Sequence, residues 1–106
     1  MPEGRQDRYK VFVVCYRPDR ATPEVHKQKF AEAIKKTPGW AKYFESTWFV
    51  ATQENAGDIF ERLRPHINPM DYLLILRAEN SPIGALPKKG WEWFKSVRKV
   101  NEGGTG

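Results

Sequence analysis

Cysteine is nearly absent from the chain: Cys15 stands alone among 106 residues, which excludes an intramolecular disulfide and a Cys-rich zinc site. Long apolar runs are missing too. Those at Val11–Tyr16 and Tyr72–Leu76 are the longest, far too short for a transmembrane helix, and no apolar stretch of signal-peptide type opens the chain. Histidine occurs only at His26 and His66, with no HxxxH, HxE or Cys/His spacing to hold a metal. No Gly-rich phosphate loop follows a strand, since Lys89-Gly90 lacks the upstream glycines of a P-loop. Like charges never gather into a tail. These gaps leave a soluble, cytoplasmic chain with no membrane contact, no metal and no cofactor as the expectation.

What is present is aromatic and basic. Six Phe, four Trp and four Tyr are too many for a disordered chain and suit one domain with a modest core. The net charge is +5, and its excess lies in two places. Residues 10–36 hold seven basic and three acidic residues, and residues 87–106 hold five and two. A split basic footprint suits a polyanionic partner, although two solvated helix faces would give the same arithmetic.

Along the chain, residues 1–8 lack periodicity and are expected to be a flexible lead-in. The run from Tyr9 to Tyr16 is β-branched and aromatic and reads as a buried strand, ended by Arg17-Pro18-Asp19-Arg20. Thr22-Pro23-Glu24 suits a helix start, with Thr22 as cap. Its helix should run to about Lys36 with His26, Phe30, Ala33 and Ile34 along one face, His26 at the edge of the buried stripe, until Thr37-Pro38-Gly39 stops it. Residues 40–52 read as two short strands, or one kinked strand, meeting at Glu45-Ser46. Asn55 with Asp58 forms a capping arrangement for a second helix that buries Ile59, Phe60 and Leu63 and ends at Pro65. Tyr72–Leu76 is another buried strand, a third helix follows from Pro87 or Gly90 to about Val100, and residues 101–106 fray. The domain is expected to span residues 9–100.

Strands alternating with helices in this order predict an α+β, ferredoxin-like sandwich: a small antiparallel sheet, two helices on one face, and a C-terminal helix. One detail is out of place. Val11, Val13 and Cys15 face one side of the first strand and Phe12, Val14 and Tyr16 the other, so both sides are apolar. A sheet covered on one side only should alternate apolar with polar. Either the C-terminal helix or a second copy must cover the other face, and a homodimer is the expectation.

The motifs Glu45-Ser-Thr-Trp-Phe-Val50, Leu63-Arg-Pro-His66 and Asp71-Tyr-Leu-Leu-Ile-Leu76 make the chain similar to the small SinR-like proteins. The loop Gly84-Ala-Leu-Pro87 and the segment from Trp91 to Phe94 extend the likeness, which covers about residues 10–97. Those proteins in turn resemble the ferredoxin-like CRISPR-associated proteins of the spacer-adaptation module. The resemblance implies the same fold, and in those relatives an Asp ending the first strand is the metal-binding candidate for phosphodiester cleavage. Arg17 stands at that position here, with Asp19 two residues on.

Three functional readings follow. The first is a non-catalytic, nucleic-acid-associated domain that places Arg17, Arg20, Lys27, Lys35, Lys36, Lys88, Lys89 and Lys95 on the phosphates of DNA or RNA, without reading bases. The second is a homodimeric interaction module with an unidentified protein partner. The third is a divergent metal-dependent nuclease with Asp19 as ligand. His66 paired with Asp71 or Glu45 would be an acid–base candidate. A His closing the end of the second helix explains it more simply. Cys15 is expected to be a buried, inert thiol. Trp91, Phe94 and Val97 or Arg98 share one helix face, suiting either a lid over the sheet or a stacking surface for single strands.

Overall fold

The computed structural model describes residues 8–79 and 82–103, with side chains as far as Lys99. Strand β1 (Lys10–Arg17) leads to helix α1 (Glu24–Lys35), then to β2 (Gly39–Phe44) and β3 (Thr47–Thr52). Helix α2 (Ala56–Leu63), a 3-10 turn (Arg64–His66), β4 (Tyr72–Ala78) and α3 (Lys88–Gly103) complete the order. The strands lie in the order β2-β3-β1-β4, every neighbouring pair antiparallel. This is the α+β, ferredoxin-like sandwich. Two interleaved crossovers, through α1 and α2, place β1 and β3 in the centre and leave β2 and β4 at the edges.

The helix-covered face holds the core. Phe12, Val14 and Tyr16 of β1 and Trp48 and Val50 of β3 pack against Phe30, Ala33 and Ile34 of α1 and Ile59 and Leu63 of α2. Tyr16 and Phe30 stack with ring centroids 3.7 Å apart. Leu73 and Ile75 of β4 join from the edge. Phe60 departs from expectation. It is 41% exposed, because α2 turns only Ile59 and Leu63 inward and Phe60 follows Ile59 by one residue, about 100° around the helix.

The helix ends are partly as the sequence suggests. Asn55 and Asp58 form a complete capping box on α2. At α1 the cap position is Pro23, without a side-chain cap, and Thr22 instead donates its hydroxyl to Asp71. Near Pro65 the chain tightens into the 3-10 turn, and α3 runs past Val100 to Gly103. The expected lead-in, apart from Arg8, and residues 104–106 of the expected tail lie outside the described residues. Among the described residues no helix is long and apolar enough to cross a membrane.

On the opposite face, α3 lies over β2 and β3. Phe49 points to that side, and its ring meets Phe94 at 5.4 Å and Trp93 at 6.4 Å. Gly90 is buried there against Leu86 and Tyr43: an added Cβ would stand 3.1 Å from the Leu86 Cβ, so the first turn of α3 approaches closely because it carries no side chain.

Candidate functional site

Asp71, in the turn before β4, is 9% exposed and is the most heavily bonded side chain of the described residues. Its Oδ1 accepts from the Asp19 amide at 2.7 Å and the Thr22 hydroxyl at 2.6 Å. Its Oδ2 accepts from the Tyr16 hydroxyl at 3.0 Å and the Asn68 amide at 2.9 Å. Burial alone would raise the carboxyl pKa, but the four donors outweigh it and hold Asp71 below the usual carboxylate value. Burial and the Asp71 carboxylate together push the Tyr16 phenol up to about 12. One carboxylate thus ties the β1–α1 loop, the α2–β4 turn and the end of β1 together. With all four in-plane lone-pair directions used, it fastens loops and has little left to offer a substrate.

The sequence-stated chemistry does not converge at this end of the sheet. Asp19 turns its Oδ2 to the Ala21 amide at 3.0 Å, an Asx turn. None of the donors on Asp71 comes from His66, which is half-buried in the 3-10 turn, and Glu45 lies in the β2–β3 turn toward the opposite edge. His26 Nδ1 pairs instead with the Asn68 side-chain nitrogen at 2.9 Å. Among the described residues no group of three or more His, Cys, Asp or Glu is placed to hold a metal ion.

The eight candidate phosphate contacts are dispersed. Lys27, Lys35 and Lys36 belong to α1 and its C-cap on one face, whereas Lys88, Lys89 and Lys95 belong to α3 on the other. Arg17 and Arg20 sit at the end of β1, while Lys36 sits at the opposite end, next to the start of β2. Lys27 faces Glu24 at 3.7 Å and Lys35 lies 5.2 Å over the Trp40 ring. Arg17 lies 5.2 Å over the Tyr72 ring. No single surface gathers them.

A different site stands out on the second face. Over β2 and β3 the sheet is closed by α3, and Ala41 and Ala51 are buried. Over β4 it is open: Tyr72 is 64%, Leu74 54% and Leu76 52% exposed, side by side with half-buried Val13 and Cys15. Cys15 is therefore not the buried thiol the sequence suggested; it points to the half-open side.

The two edges also differ. β2 is interrupted by a bulge between Ala41 and Phe44 and carries Lys42, both familiar means of keeping a sheet edge from pairing. β4 pairs with β1 in unbroken register from Tyr72 to Ala78 and bears no charge before Arg77. No described strand pairs with its outer edge.

Comparison with known proteins adds no relative: no protein-family model, no curated protein and no solved structure matches the chain. The two-sided apolar strands signalled an uncovered face, but which half α3 covers depends on its docking over Phe49, and no local pattern in the sequence encodes that.

Proposed function

We propose that the chain is an interaction module that self-associates through β4 and the open half of the sheet beside it. The observation that carries this reading is the run Tyr72, Leu74, Leu76: three large apolar side chains, each more than half exposed, on an unprotected edge strand. A second copy brings the same strand, and antiparallel pairing of two identical edges closes under two-fold symmetry. Edge pairing adds main-chain hydrogen bonds and partly buries these side chains against their counterparts in the second copy. These gains work against an association cost of about 4–15 kcal/mol, so the assembly is expected to be concentration-dependent. Light scattering of the wild type and of Leu74→Glu tests this. A dimer reduced to monomer by the charge supports the reading, and a wild type that stays monomeric at high micromolar concentration ends it.

A second reading is weak, sequence-independent contact with DNA or RNA. It is supported by Arg17 lying over the exposed Tyr72 ring, a planar cation and an aromatic at the rim of the open half-face. A steep salt dependence of binding is its test.

A further inference from the structure

Along α3, Trp91, Phe94, Lys95 and Arg98 follow at i, i+3, i+4 and i+7, one stripe of the helix. Phe94 reaches the sheet through Phe49 and meets the Trp91 ring, and Arg98 shares a cleft wall with Arg77 and Ala78 of β4. Two adjoining clefts share Pro82, Phe94 and Arg98 in their walls. One, of about 290 Å³, reaches Val11, Arg77 and Ala78, and the other, of about 410 Å³, reaches Trp91 and Lys95. Arg77, Lys95 and Arg98 form no ion pair with any described residue, and Glu79 is the only acidic residue among the described ones lining either cleft.

We propose that this double cleft binds single-stranded nucleic acid, with phosphates on Arg77, Lys95 and Arg98 and a base against the Trp91 ring. The proposal rests on the second reading above, with the site at the opposite end of β4 from Arg17 and Tyr72. Charge complementarity selects a polyanion. The half-buried Trp91 and Phe94 select a strand with unpaired bases, because a base offers a flat π-face that a duplex backbone or an acidic peptide does not. Volumes of a few hundred Å³ suit one or two nucleotides rather than a helix. With the basic side chains spent on phosphates, sequence preference should be small.

The test is fluorescence anisotropy with a labelled oligo-dT and a labelled oligo-rU at low and physiological salt. Three neutralised phosphates on a single strand give a log–log slope of about −2, so a tenfold rise in salt should cost roughly 100-fold in affinity. Lys95→Gln with Arg98→Gln should flatten that slope to about −0.7 with the melting temperature unchanged. Trp91→Phe should keep binding within a few-fold and Trp91→Ala should lose about tenfold or more. Should Trp91→Ala fail to fold, the charge pair and Trp91→Phe still decide. Absence of binding by the wild type at low salt overturns the proposal together with the reading beneath it. Binding that ignores the Lys95/Arg98 pair overturns the placement alone. Competition by poly-glutamate equal to that by the oligonucleotide overturns the choice of ligand in favour of an acidic peptide.

Discussion

The half of the second sheet face over β2 and β3 and the half beside β4 start from the same kind of sequence and end differently. Both carry apolar side chains, Phe49 and Ala51 on one side and Leu74 and Leu76 on the other. The first half received Phe94 and Trp93 of α3; the second remains open. The edge strands repeat the contrast, a bulged β2 with a lysine against an uninterrupted β4. What separates the two halves is the partner each has, which locates surplus hydrophobicity at one edge and makes that edge the candidate for association.

The contrast can be broken first from its closed side. Phe30→Ala empties a site that is almost fully buried beneath Tyr16 and should cost about 3–5 kcal/mol, lowering the melting temperature by well over ten degrees. A loss below about 1 kcal/mol in chemical denaturation would mean that the helix-covered face is not the core.

Asp71→Ala comes next. It strands the Tyr16 and Thr22 hydroxyls and two backbone amides, for an expected loss of roughly 2–4 kcal/mol. The pH dependence follows from the lowered pKa. A carboxyl held below its unfolded value contributes stability that is fully present above that value, near 3.8, and lost as pH falls through the folded value. Asp71→Asn should therefore remove part of the acid limb of the stability profile, seen by circular dichroism between pH 5 and pH 2 (about the range over which carboxylates titrate). For Tyr16 the sign is opposite: its raised pKa adds stability present below pH 10 and lost as pH rises toward about 12. A difference absorbance titration against Tyr16→Phe should show this phenol ionising near pH 12.

The smallest stability effect belongs to the open side. Leu74→Ser should leave the monomer within about 0.5 kcal/mol, since a side chain more than half exposed has little packing to lose. A loss comparable with that of Phe30→Ala would mean that something already covers β4.

Most of the fold was legible because it is written in local signals. The β-branched run of β1, the Asn55–Asp58 box and the Thr37-Pro38-Gly39 stop each act within a few residues. The two-sided apolar pattern of Val11–Tyr16 signalled a second apolar face, of which α3 covers the half over β2 and β3. Long-range facts were hidden: Thr22 bonds a residue 49 positions away instead of capping α1, and the lysines of α1 and those of α3 lie on opposite faces. Cys15 and Phe60 were misjudged for the same reason, since apolar character shows that a residue can be buried and only the packing of other elements shows whether it is.

Amide hydrogen exchange at two protein concentrations tests the central claim most directly, because it reads both edge strands in one sample. Protection of β4 from Tyr72 to Leu76 that rises with concentration, while β2 from Gly39 to Phe44 stays constant, is the expected result. β4 exchange that is independent of concentration up to the high micromolar range would contradict self-association through that strand.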